Sequence, residues 1–230
     1  NLQEDESLVG FGAFKDRRGN IFIGTDHEGI VKINQKNERT SIKTKEIHGT
    51  DRVMGFWEDP KENIWIFNEE VGVSLMASDG TLKNFRRKNG FVNELVTSVA
   101  YDSKGFYWFS VPSKGVYKCS LSKDLEIKIV DSLCSANGLR SDNVNSLIIY
   151  NGILYLGTKY GLGVMPLYTE SKKINYLNKE DGLLDTDCRL AFFDSKGLLW
   201  LNTAKGLYCY DPSVGAHNLI ETKTQIKDIK

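Results

Sequence analysis

One pattern returns five times along this chain, and it limits the fold more than any other feature of the sequence. A short apolar run centred on an aromatic residue recurs at spacings of 43, 43, 47 and 45 residues. The five aromatic positions are Phe22, Trp65, Trp108, Tyr155 and Trp200. Self-similarity at a period of this length is the signature of a repeat architecture. The chain is therefore expected to build one structural unit five times.

Turn residues stand at fixed distances before each aromatic position. Six positions before it, four repeats carry an Asp, whose side chain can bond the amides of a turn: Asp16, Asp59, Asp102 and Asp194. Three positions before it, four repeats carry a Gly, which accepts a positive φ: Gly19, Gly105, Gly152 and Gly197. The fourth repeat has Ile149 in place of the Asp, and Asn151 with Gly152 predicts a two-residue turn there. In the second repeat Glu62 replaces the Gly, and we expect the left-handed position to shift to Asn63.

A second Gly follows each aromatic position by six or seven residues, so tight connections flank a short strand in every repeat. Together with the runs of β-branched and aromatic residues, this predicts four short antiparallel strands per repeat. The repeats are placed at about 8–50, 51–93, 94–141, 142–185 and 186–230. Four-stranded repeats of this length are the blades of β-propellers. The predicted fold class is all-β, a β-propeller of four-stranded antiparallel blades in a single domain over 1–230, and five blades either close alone or form part of a larger propeller.

Charge and composition argue against several classes of protein. Lys plus Arg and Asp plus Glu both number 30, and the two signs are interspersed, whereas nucleic-acid binding needs a basic excess. No apolar run approaches the roughly 20 residues of a membrane helix. We therefore expect no nucleic-acid partner and no direct membrane contact in this segment. The four cysteines have no metal-binding spacing, so no metal and no cofactor are expected, and their disulfide state is left open: Cys119, Cys134, Cys188 and Cys209.

The fifth repeat carries the clearest form of the motif. Asp194, Gly197, Trp200 and Thr203 follow the pattern Asp-x-x-Gly-x-apolar-Trp-apolar-x-Thr, and a loop and Gly206-Leu207 come next. This pattern resembles the two-component regulator propeller repeat. Three crossover segments are similar to the links between repeats of the same family: Asn89-Gly90-Phe91, Asn137-Gly138-Leu139 and Asp181-Gly182-Leu183. The resemblance covers the chain from Gly10 to Tyr210, and the copies depart from it at Phe22, Glu62, Asn68, Val111 and Tyr155.

The resemblance implies a periplasmic, extracytoplasmic sensor region of a hybrid histidine kinase. It implies that a membrane helix and the kinase lie outside these 230 residues, which begin on Asn1 rather than Met. In this family the sensed ligands are often oligosaccharides released from polysaccharides. The expected function is thus a ligand-sensing module that is not itself an enzyme. Its expected partner is an oligosaccharide or other small ligand, and dimerisation through the parent protein is left open.

Candidate ligand-binding residues lie on the crossovers and on the loops between second and third strands, which meet at one mouth of a propeller. Sugar recognition uses aromatic faces together with planar amide, carboxylate and guanidinium groups. The candidates are Asp26, His27, Arg52, Glu69, Asn93, Arg140, Asp142, Lys159 and Tyr160. Each has a solvated loop residue as its alternative interpretation. Trp65, Trp108 and Trp200 are expected in the core.

Two other function classes are retained as alternatives. A protein-protein interaction propeller is the second hypothesis, favoured if the mouth is flat. A glycan-cleaving enzyme is the third, because two carboxyl groups across a glycosidic bond suffice for that chemistry. The pairs Glu69-Glu70 and Asp185 with Asp187 are the sequence candidates. No P-loop, G-x-S-x-G or H-E-x-x-H motif is present, so no catalytic residue is assigned.

Overall fold

A computed structural model describes residues 10–45, 52–68, 72–85, 95–177, 181, 183, 185–212 and 219–221 of the 230-residue chain. Within these ranges the regular structure is almost entirely β, with one short 3-10 helix at Ser135–Asn137. No helix among these residues is long and apolar enough to cross a membrane.

The strands form five four-stranded sheets, each built from consecutive strands in chain order. Sheet 1 contains β1 (Gly10–Lys15), β2 (Ile21–Thr25), β3 (Ile30–Ile33) and β4 (Arg39–Ile42). Sheet 2 contains β5 (Val53–Glu58), β6 (Ile64–Asn68), β7 (Gly72–Met76) and β8 (Leu82–Phe85). Sheet 3 contains β9 (Ser98–Tyr101), β10 (Tyr107–Val111), β11 (Gly115–Leu121) and β12 (Ile127–Leu133). Sheet 4 contains β13 (Val144–Tyr150), β14 (Ile153–Thr158), β15 (Gly161–Pro166) and β16 (Asn175–Leu177), and sheet 5 contains β17 (Cys188–Phe193), β18 (Leu199–Thr203), β19 (Gly206–Tyr210) and β20 (Leu219–Glu221).

Every sheet has the architecture of a propeller blade. The strands run antiparallel to their neighbours, and all four strands of a sheet fall inside the residue range of one repeat. The predicted all-β propeller fold is thereby confirmed. The chain divides into two compact units, one of Asn1–Val96 with Leu121–Ile129 and the other of Thr97–Ser120 with Val130–Lys230.

The repeated Asp organises the turn between the first and second strands of a sheet. In sheet 3, Asp102 Oδ1 accepts hydrogen bonds from the backbone N–H groups of Lys104 and Phe106 at 3.0 and 2.9 Å. Its Oδ2 accepts from Trp108 Nε1 at 3.0 Å, so one carboxylate ties the turn to the aromatic anchor. Sheets 2 and 5 repeat this arrangement, with Trp65 and Trp200 donating to their Asp at 3.3 and 2.9 Å.

Sheets 1 and 4 show what happens without a Trp. The Phe22 side chain has no N–H to donate, so Asp16 Oδ2 accepts from Asn20 Nδ2 at 2.7 Å without an indole beside it. In sheet 4 both Asp and Trp are absent. There Asn151 and Gly152 close the predicted two-residue turn, with φ of 49° and 74°.

The expected shift of the left-handed position to Asn63 is wrong. Glu62 itself has a φ of 63°, because Asp59 Oδ1 accepts from the N–H groups of Lys61 and Asn63 and holds the turn in its usual register. The Asn63 side chain bonds Asp59 Oδ2 at 2.8 Å.

The core of the second unit lies between its sheets. One cluster joins sheets 3 and 4: Ala100, Trp108, Val116, Leu133, Leu139, Val144, Leu147, Leu154, Leu156 and Met165. The next joins sheets 4 and 5 and includes Tyr155, Leu162, Leu183, Ala191, Leu199 and Leu201. The crossover residues Leu139 and Leu183 are buried in these clusters, as expected of apolar residues that dock between repeats. Phe91 lies outside the described residues.

In the first unit, Phe22, Ile30, Val53, Ile64 and Ile66 form the cluster between sheets 1 and 2. Trp65 and Trp108 are core residues, as predicted, but Trp200 is only partly buried. The face of sheet 5 that carries Trp200 is accessible among the described residues. This explains why Trp200 is less buried than Trp65 and Trp108. All four cysteines are free.

Candidate functional site

Because neighbouring strands run in opposite directions, two connections lie at the same ends of the strands in every sheet. The loop between the second and third strands and the segment entering the first strand both lie at the end where the first strand begins. We call this the crossover edge of a sheet, and the opposite one, which carries the Asp turns, the turn edge. The seven sequence candidates that the structure describes all belong to crossover-edge segments.

Asp26 brings three of the candidates together in the first unit. Its Oδ1 lies 3.1 Å from Arg52 Nε, and its Oδ2 lies 2.9 Å from His27 Nε2. Asp26 and His27 follow β2, whereas Arg52 directly precedes β5, so the cluster joins sheets 1 and 2 at the crossover edge. The His27 side chain is 84% exposed. A single carboxylate thus lies within ion-pair distance of a guanidinium and of an exposed imidazole.

Phe11 adds an aromatic face to this cluster. The Arg52 guanidinium lies 5.0 Å from the centre of the Phe11 ring, in cation–π geometry. Phe11 is 37% exposed, so part of its surface remains accessible to a ligand. We call Phe11, Asp26, His27 and Arg52 the Asp26 cluster.

Thr25 fixes the loop that presents Asp26 and His27. Its Oγ1 donates to the Gly29 carbonyl at 3.0 Å and accepts from the Glu28 N–H at 2.9 Å. Thr158 and Thr203 make the equivalent bonds to Gly161 and Gly206 in sheets 4 and 5. The repeated Thr therefore holds the loop, and the loop residues beyond it differ between repeats.

Arg140 packs on an aromatic residue in the second unit. Its guanidinium lies 4.5 Å from the Tyr176 ring centre, and its backbone N–H donates to the Tyr176 hydroxyl at 2.9 Å. Burial raises the pKa of Tyr176. The phenol is thus neutral at physiological pH, and it both supports and orients the arginine.

Asp142 stabilises the backbone of the crossover segment between sheets 3 and 4. Its carboxylate accepts from the Ser135 N–H at 2.5 Å and from the Ser135 hydroxyl at 2.7 Å, at the start of the 3-10 helix. Its carbonyl accepts from the Gly115 N–H at 3.0 Å. Both oxygens of the carboxylate serve the crossover, which favours the structural interpretation for this candidate.

Lys159 and Tyr160 stand in the loop between β14 and β15. Lys159 Nζ lies 4.9 Å from the Tyr160 ring centre, and Tyr160 is 45% exposed. Thr158 Oγ1 accepts from the Tyr160 N–H at 3.1 Å, so the exposed ring stands on an anchored backbone.

The structure therefore assembles Asp26, His27 and Arg52 into one cluster. It leaves Arg140, Asp142 and the Lys159–Tyr160 pair at separate positions on crossover edges. Glu69 and Asn93 lie outside the described residues. Sequence reasoning missed the aromatic partners Phe11 and Tyr176, because both lie on strands far along the chain from the arginines they contact. An aromatic residue near a strand end at the crossover edge is the only signal that points to them.

The carboxyl groups suggested for catalysis do not face each other across an open site in the described chain. Asp187 pairs with Arg189, whose Nε lies 3.2 Å from its Oδ2, and its N–H donates to Asp185 Oδ1 at 3.3 Å. Glu69 and Glu70 lie outside the described ranges. Among the described residues, no group of three or more His, Cys, Asp or Glu side chains is arranged to hold a metal ion.

The second unit has a cleft at its turn edge. It measures about 370 Å³ and is lined by Tyr150, Asn151, Tyr155, Lys196 and Asp211, among others. It coincides with the two-residue turn of sheet 4, which is shorter than the Asp turns elsewhere. None of the seven described candidates lines it.

No protein family and no curated protein matches the sequence. Solved structures do match the fold. The extracellular domain of a B. thetaiotaomicron protein described as a hybrid two-component system is 17% identical, with a TM-score of 0.71, over 96% of this chain and 31% of that one. The extracellular domain of a one-component system of the same organism is 15% identical, with a TM-score of 0.71, over 89% and 30% of the two chains. A catalytically inactive virginiamycin B lyase from Staphylococcus aureus, solved with quinupristin, is 13% identical, with a TM-score of 0.70, over 97% and 73%.

The chain spans about a third of the length of the two B. thetaiotaomicron proteins. At these identities the likeness concerns the fold. The repeat motif and the structural comparison agree on it: this chain has the β-propeller fold seen in the extracellular domains of one-component and hybrid two-component systems.

Proposed function

We propose that this chain is a ligand-sensing module from the periplasmic region of a hybrid histidine kinase, and that it binds an oligosaccharide at its crossover edge. The observation that carries the proposal is the Asp26 cluster. It combines a guanidinium, a carboxylate, an exposed imidazole and an accessible aromatic face, which are the groups that recognise sugar hydroxyls and sugar rings.

The cluster is organised before any ligand arrives. The two oxygens of Asp26 lie 3.1 Å from Arg52 Nε and 2.9 Å from His27 Nε2, and the Phe11 ring packs against the guanidinium. A site ordered in advance loses less conformational entropy on binding. The exposed Tyr160 and the Arg140–Tyr176 pair supply further groups of the same chemical types in the second unit.

The shared fold supports the sensor class. Extracellular domains of signalling proteins are among the structures with this fold, which is consistent with a location outside the cytoplasm. The residues that recur in every repeat have structural roles, whereas the loop residues at the crossover edge differ from repeat to repeat. The sensor hypothesis also explains this difference, because binding residues lie on loops that a rigid scaffold positions.

A thermal-shift screen against a panel of polysaccharide fragments tests the proposal. A ligand at about 100 times its Kd stabilises the folded chain by roughly 2.7 kcal/mol, which is a readily measured shift. The substitution Arg52→Ala should abolish the shift for the active glycan. Arg18→Ala is the matched control, because Arg18 also forms an exposed ion pair, with Glu62, but at the turn edge.

Two results would redirect the proposal. A well-folded chain that responds to no fragment would favour the interaction platform. Fragments that become shorter on incubation would favour an enzyme, a class that the shared fold with virginiamycin B lyase also includes. A shift that survives Arg52→Ala would show that the ligand binds away from the Asp26 cluster.

A further inference from the structure

Sheets 3, 4 and 5 pack on one another through two recurring sets of positions. On one face of sheet 3, Ala100, Trp108 and Val116 are covered, with exposures of 6, 4 and 0%. The residues that cover them come from sheet 4: Leu147, Leu154, Leu156 and Met165. We call the first the covered set and the second the covering set.

The same two sets recur at the next junction. Strand pairing makes Ile148, Tyr155 and Leu162 the covered set of sheet 4, and Ala191, Leu199, Leu201 and Tyr210 the covering set of sheet 5. All of these residues belong to or pack against the cluster between sheets 4 and 5. Each sheet thus carries a covered set on one face and a covering set on the other.

The face of sheet 5 that carries its covered set is partly exposed to solvent, and we call it the open face of sheet 5. The same register assigns it to Phe192, Trp200 and Leu207, and Leu190 extends the face. Phe192 and Leu190 are 47% and 54% exposed, and Trp200 stacks on Phe192 at 6.3 Å while remaining partly exposed. Exposed apolar patches of this kind mark interaction surfaces.

The face of sheet 1 that carries its covering set is partly exposed as well, and we call it the open face of sheet 1. Register places Ala13, Ile21, Ile23 and Ile33 at the positions that Leu147, Leu154, Leu156 and Met165 occupy in sheet 4. Ile21 is 39% exposed, Ala13 is exposed, and Ile23 and Ile33 are partly exposed. The opposite face of sheet 1 packs on sheet 2 through Phe22 and Ile30.

We propose that the open face of sheet 5 is a docking surface for the open face of sheet 1 of a second copy of this chain. The two surfaces carry the two halves of an interface that this fold forms twice inside its own second unit. The contact is heterologous, because different faces of the two copies meet, and such contacts propagate unless rotation closes them. Burial of these aliphatic and aromatic side chains supplies the driving force.

Sedimentation equilibrium of the full chain tests the proposal. The weight-average mass should rise at least twofold between about 1 and 100 μM. Phe192→Lys and Ile21→Lys should each reduce association, since either change buries an ammonium group in the contact. Both side chains are substantially exposed, so each variant should keep the wild-type melting temperature. Val130→Lys replaces an apolar residue that is 45% exposed on β12, outside both faces, and should associate like the wild type.

An equimolar mixture of the two Lys variants gives the decisive result. Each variant retains one intact face, so the mixture should form a species of twice the chain mass and nothing larger. A wild-type chain that stays monomeric throughout overturns the proposal. It is equally overturned if the wild type associates and the mixture does not, because the contact is then not between these two faces.

Discussion

At Asp102 a single carboxylate serves three donors, and this explains why the repeat joins an Asp to a Trp six residues later. One oxygen holds the turn, and the other accepts the indole N–H of Trp108. Two repeats have no indole, and there the hydrogen bond from an indole to the Asp is absent. In sheet 1 the Asn20 side chain donates to Asp16, as Asn63 does to Asp59 beside Trp65, and the indole bond is simply absent. In sheet 4 Tyr155 is accompanied by loss of the Asp itself.

The substitution Trp108→Phe should cost about 2 kcal/mol or more of unfolding free energy, because it leaves a buried oxygen of Asp102 without its donor. Trp200→Phe removes the same bond from Asp194, where solvent can replace it, and should cost clearly less. Urea denaturation followed by circular dichroism compares the two. Equal losses at the two sites would contradict the role of burial.

The bond at Asp194 should also produce a pH dependence. The pKa of Asp194 is lowered, first by the hydrogen bond from Trp200 and then by the Leu198 N–H. A lowered folded-state pKa contributes stability above the ordinary Asp value near 4, and this is lost as pH falls through the lowered value. The stability difference between wild type and Trp200→Phe should therefore be full at pH 7 and shrink below about pH 4.

The same comparison made in an Asp194→Asn background supplies the control for the pH dependence. An amide does not titrate in this range, so the effect of Trp200→Phe should then be independent of pH. A pH-dependent difference that persists without the carboxylate would assign the effect to another group.

Two cysteines should be inert in the folded chain. Burial raises the pKa of Cys119 and of Cys188 to about 12, so at pH 8 only about one thiol in 10⁴ is a thiolate. Of the four, Cys134 is the only one that is not buried. Ellman's reagent should label one thiol rapidly in the native state and four after denaturation. Cys134→Ser should remove the rapid phase, and a rapid phase that remains would contradict the assignment.

At the scale of the element, each strand connection has its own steric requirement. Gly115 begins β11 with a φ of 88°, and a methyl group there would overlap the Leu133 carbonyl oxygen. Gly105 has the same φ in the turn of the same sheet, but the nearest atom, the Tyr101 hydroxyl, lies 3.5 Å from such a methyl. Conformation alone therefore does not distinguish the two positions, whereas packing does.

Substituting these two glycines separates the two effects. Gly105→Ala should cost about 1–2 kcal/mol, from the left-handed backbone alone. Gly115→Ala should cost at least twice as much or prevent folding, because the backbone of the neighbouring strand must move. Melting temperatures of the two variants measure the difference. A Gly115→Ala protein as stable as Gly105→Ala would show that the backbone at Leu133, at the end of β12, moves at little cost in free energy.

At the scale of the whole molecule, charge is balanced. With 30 acidic and 30 basic side chains the chain has no net charge near pH 7. Polyanion binding needs counterion release by a basic surface. The chain should therefore pass through a heparin column at about 50 mM salt without retention. Elution only above about 0.3 M would reveal a basic patch that the composition conceals.

The sequence by itself determined the repeat, the fold class and the turn chemistry, because each of these depends on residues only a few positions apart. An Asp, a Gly and an aromatic residue in fixed phase identify a strand pair. Three repeats carry all three residues, and the other two carry the aromatic residue with either the Asp or the Gly, so the phase still identifies five blades. Local signals also placed the loops of the crossover edge. They failed at Asn63, because the bonds from Asp59 that hold the turn register are visible only in three dimensions.

The tertiary structure alone decided which candidates meet and which surfaces stay open. Phe11 supports Arg52 across two sheets, and Asp142 is occupied by Ser135, although both aspartates, Asp26 and Asp142, look alike in the sequence. Trp108 and Trp200 share one motif, yet sheet 4 covers the first and the second remains partly exposed. The physical reason is the same in each case: burial and contact depend on neighbours that are distant along the chain, and no local pattern encodes them.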